Sequence, residues 1–364
     1  MESFNRDNGQ IYTETISSRV RSMVPTWKKH ARGRRVNPQT YKSTARGSST
    51  LRDMALRSCC WHAELFMPET LAYPGWHYAG MVYRHLKATD TLTFNSWTLF
   101  QKAYPNQLDL THAFRVSHHD SLASWPSIVK SLTALDGSVL TRFCAHGTDL
   151  DLSQLLSLAN IPTLAALVQV GDSRHPGDCA ALSESSVRAW CRAVREKKAL
   201  RKLKLLFLSC MSDALPRHLD AFPALRLVGV DRRHSTGGWD ATPKACGRWV
   251  RPGSVDQDKF TQTVCGSRYS IAEKTERLCG FAEELPSPEG EVDDLVTLSL
   301  TCDAAAEPYL RSESIAWFVR DPAAKETQPR VARPIQDGSD RATKKRKVRQ
   351  EKQQDVASLL GLFG

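Results

Sequence analysis

The sequence predicts a mixed α/β fold: a short, irregular array of strands and helices that follows a helical N-terminal subdomain and is flanked by disordered ends. Three observations predict it. Leucine-rich runs of strand length recur between residues 140 and 300. Aromatic residues at helical spacing fill residues 51–110. The net charge of +11 belongs to the ends, with +8 in residues 1–52, +4 in residues 321–364 and −1 between them.

Residues 1–50 are predicted to be a disordered basic arm, because they are rich in Arg, Lys, Ser, Thr and Asn and poor in branched apolar residues. A basic cluster lies within this arm: Lys28, Lys29, Arg32, Arg34 and Arg35. Basic arms bind nucleic acid through counterion release, without sequence preference. The cluster is therefore a candidate nucleic-acid contact or, alternatively, a second import signal.

Residues 51–139 are predicted to form a mainly helical subdomain. Trp76, Tyr83 and Leu86 fall on one helical face, and a second aromatic set with a spacing of three falls on another: Phe94, Trp97 and Phe100. Packing of these rings within the subdomain explains the pattern better than a ligand cage does.

Residues 140–320 are predicted to form the α/β domain. Leu150 and Leu152 suggest a short strand, residues 155–159 a short helix, and residues 164–170, 203–208, 225–230 and 295–300 further strands. An amphipathic helix places Arg188, Arg192 and Arg195 opposite an apolar face made by four residues: Val187, Trp190, Cys191 and Val194. Residues 231–292, rich in Gly and Pro, are expected to be irregular.

Several apolar runs share one spacing. Leu51, Met54, Leu56 and Cys59 fit L-x-x-L-x-L-x-x-C, and the apolar skeleton recurs at four further positions: Phe222, Leu225, Leu227 and Val230. Partial matches begin at Leu203 and Leu295. The pattern resembles the leucine-rich repeat, in which each unit is a strand plus a helix and neighbouring units stack to bury their apolar faces. The resemblance implies a protein-binding scaffold.

One motif suggests hydrolysis. Gly171-Asp172-Ser173 after a strand, with Asp231-x-x-His234, resembles the GDSL-type esterases, a resemblance that would make Ser173 the nucleophile and His234 the general base. However, no Asn follows Asn160, so the Asn of that family's oxyanion hole is missing. An esterase is therefore the third alternative, and the main expectation is a protein without catalysis.

Metal and cofactor sites are not predicted. Three segments contain metal-binding side chains, but each lacks a second ligand pair at zinc spacing: Cys59-Cys60-x-His62, His118-His119-Asp120 and Cys144-x-His146. The sequence has no phosphate-binding loop and no G-x-G-x-x-G motif. The ten cysteines are scattered, which is typical of free thiols in a reducing compartment.

Residues 321–364 are predicted to be a disordered basic tail with two functional segments. Lys344-Lys345-Arg346-Lys347-Val348 is similar to the KKRKV import signal of the polyomavirus large antigen, which binds an import adaptor in extended form. Near the end, four residues share one face of a short helix: Val356, Leu359, Leu360 and Phe363. This helix is expected either to dock in a partner's groove or to pack on its own protein. Its spacing only partly matches a sliding-clamp-binding box.

These observations predict a nuclear scaffold or adaptor whose partners are a nuclear import adaptor and an unidentified nuclear protein. No run approaches the ~18 apolar residues that cross a bilayer, so no membrane partner is expected. The alternative is a chromatin-associated or nucleic-acid-associated protein that binds through the N-terminal arm.

Overall fold

A computed structural model describes residues 2–4, 11–13, 24–32, 50–117, 124–146, 150, 152–170, 184–197, 199–209, 215–231, 245–246, 248–266, 268–286, 295–303 and 314–321. They belong to one compact unit, Met1–Lys325. The boundary predicted between residues 139 and 140 falls inside this unit.

The N-terminal part is mainly helical in its described residues. A small antiparallel pair, β1 (Glu2–Phe4) and β2 (Ile11–Thr13), comes first. The helices that follow are α1 (Thr26–His30), α2 (Leu51–Trp61), α3 (Pro68–Ala72), α4 (Gly75–Ala88) and α5 (Phe94–Ala103), with 3₁₀ turns at Ala63–Leu65 and Leu108–Leu110. The predicted helical face of Phe94, Trp97 and Phe100 is confirmed, because all three are buried.

A nine-stranded mixed sheet forms the centre of the unit. Its strands are β3 (His112–Ser117), β4 (Val139–His146), β5 (Leu164–Val170), β6 (Leu205–Ser209), β7 (Leu227–Asp231), β8 (Ala245–Cys246), β9 (Trp249–Val250), β10 (Val296–Asp303) and β11 (Ile315–Arg320). The order across the sheet is β3-β10-β4-β5-β6-β7-β11-β9-β8. The first six strands are parallel and the last three pair antiparallel.

Helices cover both faces of this sheet. On one face lie α6 (Trp125–Thr133), α7 (Leu152–Ser157), α8 (Glu184–Lys197) and the 3₁₀ turns Leu158–Asn160 and Leu215–Ala221. On the other face lie α9 (Ser254–Cys265) and α10 (Ile271–Glu284). The parallel strands are apolar on both faces because both are covered.

Strand register aligns the core residues in a row across seven strands. Neighbouring Cα partners in this row all belong to the core beneath α6, α7 and α8: Phe114, Leu300, Phe143, Leu167, Leu206, Val228 and Phe318. On β4, β5, β6, β7 and β11, residues one position away belong to the opposite core, where the ring of Trp317 packs against those of Phe207 and Phe260. A slip by one residue would exchange the two cores, so this double burial specifies the register.

The α/β class is confirmed, whereas the leucine-rich-repeat array is not. Residues 51–59, whose spacing fits the repeat pattern, lie in helix α2, within the segment that is predicted to be mainly helical. Leu206 and Leu225 take the same position in the repeat pattern, so a repeat array would stack one on the other. In the sheet, Leu206 aligns with Val228 and Leu227 faces the α9 and α10 side. The strand expected at Leu150 and Leu152 is wrong, since α7 begins at Leu152. Apolar spacing is shared by both kinds of element over such short runs.

Residues 24–32 correct the prediction that the whole N-terminal arm is disordered. Trp27 is 0% exposed and its ring lies 4.7 Å from that of Phe94. The backbone carbonyl of Arg32 accepts a hydrogen bond from Arg115 N at 2.8 Å, at the edge strand β3. This short segment therefore anchors the arm and covers part of a sheet edge.

The segment predicted to be irregular, residues 231–292, contains α9 and α10. The N-terminus of α10 has a reciprocal capping box: Ser270 Oγ accepts from Glu273 N, and Glu273 Oε2 accepts from Ser270 N at 2.8 Å. Ser-x-x-Glu is visible in the sequence, so a signal for this helix existed. The many Gly and Pro residues around Ser270 and Glu273 indicate turns instead, so the two patterns in this segment conflict.

Candidate protein-binding surfaces

Exposed apolar side chains concentrate in one segment of the described chain. Of nine large hydrophobic residues that are exposed, seven lie between residues 51 and 78: Leu51, Met54, Trp61, Leu65, Met67, Tyr73 and Tyr78. Trp61 is 85% exposed and Tyr73 is 94% exposed. Single exposed hydrophobic residues are ordinary, but their concentration in this segment makes it a candidate interaction surface.

Helix α2 is apolar on two opposite faces. Leu56 and Cys60 are partly buried on the face that turns toward α4, and no residue of α2 is fully buried. Leu51, Met54 and Trp61 lie at i, i+3 and i+10, which at 3.6 residues per turn places them on the outward face. Ser58 lies at i+7 on this face. These four residues are called the α2 stripe.

Contacts to α4 hold α2 in place. Thr50 caps the helix, because its Oγ1 accepts from Asp53 N at 3.1 Å. Arg52 Nη2 lies 3.2 Å from Met81 Sδ, and Cys60 Sγ lies 3.9 Å from Val82 O. Burial raises the pKa of Cys60 to about 11, so its thiol is neutral at physiological pH. Cys60 is therefore suited to packing and not to nucleophilic chemistry.

A second surface is a basic cleft of about 370 Å³ between α8 and the turn Leu215–Ala221. It is called the arginine cleft and has six lining residues: Arg188, Cys191, Arg192, Arg195, Glu196 and His218. Cys191 forms its floor, with Sγ 3.2 Å from His218 O. The amphipathic prediction for this helix is confirmed, because its apolar face is buried and the arginines lie opposite.

The carboxyl ends of the parallel strands form a third candidate position. Ser117, Asp303 and His146 are Cα partners in one row at these ends. Farther along the edge, Asp231 is fully buried and accepts a hydrogen bond from Ser314 Oγ at 2.5 Å. The helix before β10 is α10, which packs on the α9 and α10 face of the sheet. The helix between β3 and β4 is α6, which packs on the other face. Open α/β sheets bind ligands at such switch points, so this edge is a candidate ligand position.

The esterase motifs begin at this same edge. Strand β5 ends at Val170, directly before Gly171-Asp172-Ser173, and β7 ends at Asp231. Ser173 and His234 themselves lie outside the described residues. The structure therefore describes where the two motifs start and leaves the esterase alternative a prediction.

A fourth cleft, of about 340 Å³, lies near the amino end of β3. His112 lines it beside Lys87 and Arg142, and Arg142 Nη2 pairs with Glu283 Oε1 at 3.0 Å. Burial, with a smaller effect of the Lys87 charge, lowers the pKa of His112 to about 4. The imidazole is therefore neutral at physiological pH, and its buried Nε2 makes no hydrogen bond with any residue that the structure describes.

The basic residues predicted to contact nucleic acid are only partly described. Lys28 is half-buried, with Nζ 5.9 Å from the centre of the Phe94 ring, and burial followed by the Lys102 charge lowers its pKa. Lys29 is also half-buried. Arg32 forms backbone bridges to the core, while Arg34 and Arg35 lie outside the described residues. The part of the cluster that is described thus contributes to packing as well as to charge.

Other predicted segments lie outside the described residues: the import signal Lys344–Val348, the terminal helix Val356–Phe363 and His118-His119-Asp120. Cys59 and Cys60 lie in α2 and His62 directly follows it, while Cys144 and His146 lie in β4. Within the described ranges, no three His, Cys, Asp or Glu residues are grouped as metal ligands. None of the described helices has the length and apolar character needed to span a membrane.

The sequence contains a signal for the α2 stripe, because the helical spacing of Leu51 and Met54 continues to Ser58 and Trp61. The spacing of Leu51 and Met54 also fits the repeat pattern, which does not indicate an exposed helical face. Comparisons with known proteins offer no independent guide, because no family model, curated protein or solved structure matches this chain.

Proposed function

We propose that this protein is a nuclear adaptor that binds a partner protein through the α2 stripe and enters the nucleus through Lys344–Val348. The observation that carries the proposal is the outward apolar face of a helix whose other face already packs on its own fold. Leaving such a face in water is unfavourable by roughly 25 cal/mol per Å², and a partner that covers it recovers this free energy.

The stripe fits a helix of the partner. The apolar residues at i, i+3 and i+10, with the small Ser58 at i+7, form a ridge that a second, nearly antiparallel or parallel helix packs against. Arg57 is exposed and flanks Trp61 on this surface. We therefore expect the partner to supply an amphipathic helix with acidic residues beside its apolar face.

The test compares two variants of the full-length protein with the wild type. Met54→Glu with Trp61→Glu charges the stripe, whereas Val255→Glu changes an equally apolar residue, 79% exposed, on α9. Site-specific photo-crosslinking from position 58, followed by mass spectrometry of nuclear proteins, reports the partner. Crosslinks present in the wild type and the Val255→Glu protein but absent from the stripe variant would support the adaptor.

Two results would oppose this proposal. One is a crosslinked partner set that is the same in all three proteins. The other is a wild-type protein that crosslinks nothing from position 58 while its import is normal. Either result would remove the argument for a partner at α2.

The terminal segment is proposed to provide a second partner contact. Val356, Leu359, Leu360 and Phe363 would form an apolar face in a partner's groove. A protein ending at Arg349 keeps the import signal and lacks this face. Partners lost only on truncation would support docking by the segment, and identical partners in both proteins would argue against it.

A further inference from the structure

We propose that the arginine cleft binds a phosphate group on a serine or threonine side chain of a partner peptide. This site is separate from the α2 stripe, since α2 contributes no residue to the cleft. The inference therefore goes beyond the proposed adaptor function and can fail or succeed independently of it.

The cleft is built on a rigid element. Val187, Trp190 and Val194 of α8 are each at most 5% exposed and join the main core. The contact between Cys191 Sγ and His218 O joins the helix to the opposite wall. Side chains that project from such a support lose less conformational entropy when they bind a ligand.

The charges of the cleft favour an anion. Arg188, Arg192 and Arg195 follow one another at i, i+4 and i+7 and are exposed. Arg195 lines the same cleft as Cys191, which forms the floor. Within the described residues Arg192 and Arg195 form no ion pair, and Glu196 is the single acid among the cleft residues.

A phosphate monoester matches these groups better than other anions do. It carries about −1.5 to −2 charges and three acceptor oxygens, so it can engage two guanidinium forks at once. A single carboxylate can form paired hydrogen bonds with only one guanidinium group. The cleft of about 370 Å³ holds a phosphorylated side chain but not a nucleic-acid duplex. Residues 53–320 have a net charge of −1, which gives no long-range attraction for polyanions.

The experiment measures binding of three fluorescent peptide pools to the full-length protein at about 0.15 M salt. The pools share a degenerate sequence and differ at one central residue: phosphoserine, serine or glutamate. The cleft variant is Arg192→Gln with Arg195→Gln. The control variant, Arg201→Gln with Arg268→Gln, removes the same number of charges from exposed residues that do not line the cleft. Circular dichroism verifies that both variants are folded.

We expect the phosphoserine pool to bind the wild type and the control, and to bind the cleft variant at least about tenfold more weakly, because charge-assisted bonds to two arginines are lost. Equal binding of the three pools would overturn the proposal, as would failure of the phosphoserine pool to bind the wild type. An unchanged affinity in the cleft variant would also overturn it. Single-stranded oligothymidine is measured with the same proteins. If the cleft variant lost binding to oligothymidine but not to the phosphoserine pool, the cleft would be a nucleic-acid contact and the proposal would be overturned.

Discussion

At the scale of single residues, Gly229 shows how tightly the sheet packs beneath α9 and α10. A Cβ atom at this position would overlap ring atoms of Phe207 and Trp317, whose ring centres are 5.5 Å apart. The indole Nε1 of Trp317 donates to Thr261 Oγ1 at 3.0 Å, which limits how far that ring can move. Glycine is therefore required for space at this position, not for an unusual backbone conformation.

We predict that Gly229→Ala lowers the free energy of unfolding by about 1–3 kcal/mol, because overpacking a full core forces neighbouring rings to shift. Urea denaturation followed by tryptophan fluorescence measures this. Gly280→Ala in α10 is the control, since a Cβ there meets nothing within 4 Å and alanine favours the helix. Equal stability of the two variants would show that the strand accommodates a methyl group.

His112 gives a prediction about pH. Its pKa is about 4 in the folded protein and near 6.5 when unfolded, so the unfolded state binds more protons between these values. Stability is therefore lost as the pH falls from about 6.5 to 4. We expect His112→Gln to lose less of its free energy of unfolding over this range than the wild type does.

Denaturation at several pH values between 7 and 4 measures this difference. His77→Gln, on an exposed position of α4, controls for removing an imidazole without a buried environment. If His112→Gln and His77→Gln follow the same pH dependence, the burial of His112 does not affect stability.

At the scale of elements, α1 and α2 show opposite uses of tryptophan. Trp27 in α1 is 0% exposed, and its Nε1 donates to Ser127 Oγ at 3.1 Å. Trp61 in α2 is 85% exposed. Both residues have basic residues near them in the sequence, and the contacts of Trp27 with Phe94 and Ser127 distinguish the two. Deleting the N-terminal arm would therefore remove part of the core together with its charges.

We predict that Trp27→Ala lowers the free energy of unfolding by about 3–5 kcal/mol, as expected for loss of a buried tryptophan. Trp61→Ala should change it by no more than about 0.5 kcal/mol. Chemical denaturation of the two variants tests this pair. A Trp27→Ala protein as stable as Trp61→Ala would mean that α1 contributes little to the core.

At the scale of the whole molecule, charge is distributed unevenly. The described unit is built around a sheet that is apolar on both faces, and its central residues 53–320 carry a net charge of only −1. The excess of basic over acidic residues lies in the two ends, with +8 in residues 1–52 and +4 in residues 321–364. The proposed import signal, Lys344–Val348, and the α2 stripe therefore lie in parts of the chain that differ in charge.

We predict that Lys345→Ala with Arg346→Ala abolishes nuclear accumulation, because an import adaptor binds consecutive basic side chains in an extended segment. The measurement is the nuclear to cytoplasmic ratio of a fusion to two fluorescent proteins. Arg330→Ala with Arg333→Ala removes the same charge from the tail outside the motif and should leave the ratio unchanged. Equal ratios for both variants would place the signal elsewhere.

Much of the local structure was predictable. Apolar residues at i, i+3, i+4 and i+7 indicated α8, and the aromatic triplet indicated α5. Short Leu- and Val-rich runs indicated β5, β6, β7 and β10. These patterns indicate which face of a helix or strand is buried. They depend only on residues that are near one another in the sequence. The candidate surface was less predictable, because the spacing of Leu51, Met54 and Leu56 suits a strand and a helix equally over nine residues.

The charge of the ends, the basic motif Lys344–Val348, the α/β class and the amphipathic face of α8 are visible in the sequence alone. The position of β10 between β3 and β4, the burial of Trp27 and the exposure of the α2 stripe become visible only in the folded chain. The physical reason is that periodicity depends on neighbours along the chain. Burial of a given apolar face depends instead on contacts between residues far apart in sequence, such as Trp27 with Ser127 or β10 with β3.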